Sequence, residues 1–142
     1  MLFPISDGYF LNYAANDIIL LLGDPQIDEW LNGGILLKGI VEISGESATG
    51  KTQLALQLCL NCQKPFEQGG FNSSYSHSDW LGSLFICTED AFPLRRLNQL
   101  IENQTSFKAD PNKVFIQHVG DLETLETVIS FHLENMIKSL EL

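Results

Sequence analysis

From residue 39 onward the apolar positions switch three times between a short continuous run and a helical stripe. Gly39-Ile40-Val41-Glu42-Ile43-Ser44 is a β-branched run that predicts a strand. After a glycine-rich octapeptide, Leu54, Leu56, Leu58 and Leu60 alternate with Ala55 and Cys59, which predicts a helix apolar on nearly every side and therefore buried. Leu84-Phe85-Ile86-Cys87 reads as a second strand, ending at Thr88-Glu89-Asp90. Pro93 then suits the first position of a helix striped by Leu94, Leu97, Leu100 and Ile101. Asp110-Pro111-Asn112 marks a turn before a third strand, Val114 to Val119. Asp121 is placed to cap a last helix on which Leu122, Leu125, Ile129, Leu133, Met136 and Leu140 keep helical spacing. Strand and helix alternating in this order predict an α/β fold, a parallel sheet flanked by helices.

The remaining stretches carry weaker patterns. Met1 to Asp24 mixes aromatic, aliphatic and amide residues without a clean period. Ile27, Trp30 and Leu31 share one face of a short helix that starts after Asp24-Pro25 and stops at Gly33-Gly34. Glu67 to Ser83, rich in Gly, Ser and Asn, reads as an exposed loop. The expected division is an N-terminal segment, residues 1–22, followed by one domain, residues 23–142.

The octapeptide between the first strand and its helix is Gly45-Glu46-Ser47-Ala48-Thr49-Gly50-Lys51-Thr52, a full match to G-x-x-x-x-G-K-[ST] in the strand–helix context that pattern requires. Its glycines let the backbone close around a phosphate with successive N–H groups pointing inward, and the helix beginning near Lys51 adds the positive end of its dipole. The Lys51 ammonium would neutralise β- and γ-phosphate charge, and the Thr52 hydroxyl would ligate Mg²⁺. Glu89, at the carboxyl end of the second strand, lies on the side of the sheet where ligands of open α/β sheets bind. It is either a carboxylate that activates water for attack on a γ-phosphate or a solvated residue of the turn before Pro93.

Composition narrows the partners. Eight basic and 18 acidic residues in 142 leave a formal charge of −10, which opposes direct capture of nucleic acid phosphate. The start of the chain shows neither the basic n-region of a secretory signal nor the Arg-rich character of a transit peptide. The aliphatic run Ile18 to Leu22 is far shorter than a membrane span. Three cysteines suit a reducing compartment better than a disulfide framework. Cys59 and Cys62 have CxxC spacing but fall within the apolar helix, where structural burial is expected rather than metal or redox chemistry. His77, His118 and His132 are spread over three segments. Arg95-Arg96 is either a phosphate or partner contact or the solvated face of its helix.

Taken together the motifs resemble the RecA-type recombinase superfamily, and within it the eukaryotic recombinase paralogs. The similarity rests on Gly50 to Leu60 (GKTQLALQLCL), Ile86 to Pro93 (ICTEDAFP), Phe115 to Leu125 (FIQHVGDLETL), and the lead-in Leu31-Asn32-Gly33-Gly34-Ile35 followed by Gly39-Ile40. It implies a RecA-like P-loop ATPase core and a nuclear role in double-strand break repair by homologous recombination, in complex with another recombinase paralog. It also implies ATP and Mg²⁺ as ligands, with Lys51 and Thr52 as phosphate and Mg²⁺ contacts and Glu89 as the catalytic carboxylate. Asp90-Ala91-Phe92 after Thr88-Glu89 departs from the filament-forming recombinases and favours a paralog. The family's Walker B strand, sensor strand and DNA-binding loops have no counterpart before Leu142, so the core is expected to be incomplete, with DNA reached only through the complex or that further part. In the family's sheet order two of those strands lie between the phosphate-loop strand and the strand carrying Glu89, so Ile40–Ser44 is expected to lack its usual neighbours. Two other readings stand beside the ATP-binding paralog: a non-catalytic interaction fragment, and a small P-loop kinase, for which the basic lid residues are scarce.

Overall fold

The computed structural model describes residues 2–5, 19–37, 40–72, 82–89 and 91–135. Its strands and α-helices, in chain order, are β1 (Leu2–Ile5), β2 (Ile19–Leu20), α1 (Pro25–Trp30), β3 (Ile35–Leu36), α2 (Lys51–Asn61), β4 (Gly82–Cys87), α3 (Leu94–Glu102), β5 (Val114–His118) and α4 (Leu122–Thr127). β4 is central in a sheet of order β1-β4-β5. It runs parallel to β5, from Ser83↔Val114 to Cys87↔His118, and antiparallel to β1, from Leu2↔Phe85 to Ile5↔Gly82. The parallel pair expected from the strand–helix alternation is present. β1 adds an antiparallel edge that the patternless N-terminus did not announce, and β2 and β3 form a separate antiparallel ladder.

The all-round apolar character of α2 has a direct structural cause, since two cores lie against it. Leu58 and Cys62 pack with Leu20, Leu22, Ile35 and Phe71 on the β2–β3 side. Leu56, Cys59 and Leu60 pack with Leu97, Ala109 and Val114 towards α3 and the sheet. A third core of Leu84, Ile86, Val119 and Val128 fills the other face of the sheet beneath α4. β4 supplies both faces by strand alternation: Phe85 packs on the α2 side, Leu84 and Ile86 on the α4 side. Each fully buried leucine in these layers contributes roughly 1.5–3 kcal/mol. Buried polar groups are tied to the backbone: Asn61 Nδ2 donates to Leu21 O (2.8 Å) and Leu22 O (2.6 Å), and Ser83 Oγ donates to Cys59 O (3.2 Å). Gln63 and Asp110 exchange hydrogen bonds, Gln63 Nε2 to Asp110 O (3.1 Å) and Asp110 N to Gln63 Oε1 (2.7 Å), which anchors the turn before β5.

Several local expectations shift. The strand predicted over 39–44 is not part of a ladder; residues 40–44 are unpaired, with Ile40 at 92% and Val41 at 51% exposure. Among the described residues the sheet order is β1-β4-β5, and neither outer strand pairs with this run. The short helix expected after Asp24-Pro25 is present as α1, and its apolar side chains Ile27 and Trp30, with Leu31 just after it, are exposed. The second strand begins at Gly82, earlier than its aliphatic run, because Gly82 and Ser83 extend the ladder. α3 begins at Leu94, with Pro93 as its cap residue. After α4 the helix widens into a π-turn, Val128–His132. Met136, Leu140, Asp90, His77, Lys38 and Gly39 lie outside the described residues, as does most of the loop expected over 67–83.

Candidate phosphate-binding site

The Gly45–Thr52 segment wraps from a series of turns directly into α2. Gly50 is the cap residue at φ 98°, a left-handed conformation that glycine adopts without a Cβ clash. Ala48 is also left-handed, at φ 64°. The curl is closed by Thr49 Oγ1 donating to Glu46 O at 2.8 Å. Across it lies the Lys51 ammonium, which donates to Gly45 O (2.9 Å) and Glu46 O (2.7 Å). Leu54 N donates to Gly50 O at 2.9 Å, the first bond of the helix. No side chain caps that helix at Gly50, so the amides of its opening residues are available to an outside acceptor. Ser47 and Thr52 are exposed, with the Thr52 hydroxyl on the first turn of α2.

Glu89 is exposed and lies just past the carboxyl end of β4. Its loop is anchored on one side by Cys87 Sγ, which donates to Glu89 O at 3.7 Å, and on the other by Phe92, edge-on to Phe85 at 5.1 Å. Among the described residues no hydrogen bond or ion pair joins Glu89 to Lys51 or Thr52. What relates the two segments is Arg96. Its Nε donates to Gln53 Oε1, and its Nη1 donates to Gln99 Oε1 at 3.2 Å. Gln53 is in the first turn of α2 and Arg96 in the first turn of α3, so the helices start side by side. The loop that precedes each, one carrying Lys51 and the other Glu89, therefore opens at the same end of the helix pair. Arg95 and Arg96 are both exposed, as a solvated helix face would be, and Arg96 in addition links two helices through Gln53. The available signal was positional, since Gln53 directly follows the motif and Arg96 opens the helix after Glu89.

The CxxC pair is structural. Cys59 and Cys62 belong to different cores, and both are almost completely buried. Burial pushes the Cys59 thiol up from 9.0 to about 11 and the Cys62 thiol to about 12. Cys62 Sγ donates to Leu58 O at 3.1 Å. No helix among the described residues is long and apolar enough to cross a membrane.

Comparison with known proteins agrees with this architecture. The Rad51 family model matches residues 15–121, a span that includes the phosphate loop, Glu89 and β5. The chain is 44% identical over 117 residues to the DNA repair protein XRCC3 of Bos taurus, covering 75% of this chain and 32% of that protein. It is 43% identical over 122 residues to XRCC3 of Mus musculus, covering 78% and 33%. To the DNA repair protein rhp57 of Schizosaccharomyces pombe it is 35% identical over 125 residues, covering 80% and 33%. The chain thus spans about a third of the length of these relatives. A match that runs through the loop, both paired strands and the helices between them shows that the chain belongs to the Rad51 family.

Proposed function

We propose that this chain is the phosphate-loop part of a recombinase paralog that acts in DNA double-strand break repair by homologous recombination. Its nucleotide is ATP with Mg²⁺. The observation that carries the reading is the curled Gly45–Thr52 segment, with Lys51 held across it and the uncapped start of α2 behind it. Those residues fit a polyphosphate. Lys51 rests on two loop carbonyls that a phosphate oxygen, carrying full negative charge, would outcompete. The helix amides add donors, and Thr52 places a hydroxyl where a Mg²⁺ ligand is needed. The nucleotide would supply a γ-phosphoryl group as the centre open to attack, and Glu89 is the carboxylate offered to orient water there. DNA-repair names among the relatives support the repair role; the reading places it in the nucleus alongside another paralog subunit, with DNA reached through that complex. In this reading residues 23–142 belong to the ATPase domain and residues 1–22 form a lead-in whose strand joins the sheet.

The decisive experiment is nucleotide titration. Lys51→Ala is expected to weaken MgATP binding by about 10- to 100-fold, since a charge-assisted contact contributes about 1.5–3 kcal/mol. Unchanged MgATP affinity in that variant would remove the loop from the site.

A second reading, an interaction module that binds nucleotide without turnover, is favoured by a specific observation. Among the described residues no carboxylate is bonded to Thr52 or Lys51, and Glu89 is exposed, held through its backbone carbonyl alone. A turnover assay separates the two, because Mg²⁺-dependent ATP hydrolysis lost in Glu89→Gln belongs to the first reading alone.

A further inference from the structure

β1 joins the sheet from the start of the chain and runs antiparallel to β4, beside a parallel pair. It lies ahead of residue 15, where the family match begins, and residues 6–18 separate it from β2. One of its register pairs is Pro4↔Ser83. A proline has no N–H to give, so it fits an unbroken antiparallel ladder only where its nitrogen faces away from the neighbouring strand. Backbone groups alternate sides along a strand, so Phe3↔Leu84 and Ile5↔Gly82 are the pairs that exchange N–H···O bonds. On the outer side of β1 the proline leaves a donor missing, which hinders pairing of a further strand there. On the inner side β1 covers Gly82-Ser83-Leu84-Phe85-Ile86-Cys87, a strand without a charge whose open edge would be a template for another chain.

We propose that this edge of β4 is a strand-binding site, with β1 as its occupant in cis and β1 of a second copy as its occupant in trans. The entering segment must be extended and uncharged, run antiparallel to β4 and set N–H donors opposite Leu84 and Gly82. Residues 2–5 of another molecule meet these conditions by identity. Because Pro4 faces outward in either case, exchange ends at one added strand and does not grow into a fibre. Tethering within one chain gives β1 a local concentration on the order of millimolar, so a dilute intact chain keeps its own strand.

The test uses the full chain and a synthetic peptide of residues 1–7. Phe3→Pro removes the inward N–H opposite Leu84 and is expected to vacate the edge. Amide exchange at Gly82 and Leu84 then rises at least about tenfold, while Phe85, whose N–H lies on the β5 side, stays protected. The peptide is expected to bind this variant saturably below about 1 mM, restoring protection at Leu84, and to bind the wild-type chain at least about tenfold more weakly. A peptide carrying the same Phe3→Pro change is expected to bind neither. Ile5→Pro, at the end of the ladder and read at Gly82, carries the same test if Phe3→Pro does not fold. Unchanged exchange at these amides in a folded variant, no saturable peptide binding up to about 10 mM, equal affinity for variant and wild type, or equal binding of the substituted peptide would overturn the proposal. So would the failure of both variants to fold, which would make β1 an indispensable part of the core.

Discussion

Gly50 shows how one residue holds the phosphate loop in shape. At φ 98° an alanine would be strained although nothing lies within 4 Å of where its Cβ would stand. Gly50→Ala is expected to destabilise the chain by about 1–2 kcal/mol, read as a lower urea midpoint, and to weaken MgATP binding by re-aiming the first amides of α2. The buried thiols make a second residue-scale prediction. Their folded pKa values, about 11 and 12, stand above the unfolded value of 9.0. Their stabilising contribution is therefore complete below pH 9 and is lost as pH rises through the folded values, by up to about 1.4 kcal/mol per pH unit for each thiol. Lys64 works in the opposite sense, because its depressed value makes the native state gain stability as pH rises towards 10.5. Two groups outweigh one, so urea stability is expected to fall between pH 9 and 11, and to fall less in Cys62→Ala.

At the scale of the element, residues 40–44 separate propensity from structure. The run has the β-branched composition of a strand, and a strand is what its pattern predicts. A ladder nevertheless needs a partner, and among the described residues neither β1 nor β5, the outer strands of the sheet, pairs with this run. Amide hydrogen exchange is expected to find Ile40 to Ser44 unprotected while Leu84 to Ile86 exchange slowly; strong protection of the first run would show a pairing that the described residues do not provide. The elements legible in the sequence are those with apolar stripes or clear start signals: α2 and α3 by their stripes, α1 and α4 by Asp24-Pro25 and Asp121, β4 and β5 by continuous aliphatic runs. β2 and β3, at two residues each, are too short to register as patterns, and β1 contains a proline that weakens a strand assignment. In the site, Gly45 to Thr52 was legible because phosphate binding fixes both residue type and spacing. The Arg96–Gln53 link was not, because the two residues are far apart in sequence and meet only through helix packing.

For the whole molecule, charge sets the expectation. A formal charge of −10 leaves little electrostatic attraction for a polyanion, and no counterion release to drive binding. Single-stranded DNA is expected to bind this chain no more tightly than about 10⁻⁴ M at physiological salt; micromolar binding by the chain alone would contradict the view that DNA is reached through a complex. The exposed apolar residues Trp30, Leu31, Ile40 and Val41 stand in contrast to the three closed cores on and beneath the sheet.

By itself the sequence determined the α/β class, the burial of α2 and the position of the phosphate loop. Each is a short-range property, carried by periodicity or by the residue types that a bound phosphate demands. Tertiary structure decided what depends on distant neighbours. It placed β1 beside β4, left Ile40 to Ser44 without a ladder, brought the starts of α2 and α3 together through Arg96, and sent Cys59 and Cys62 into separate cores. The physical reason is the same throughout: hydrogen-bond pairing and desolvation are set by which groups meet in space, and local pattern does not carry that information.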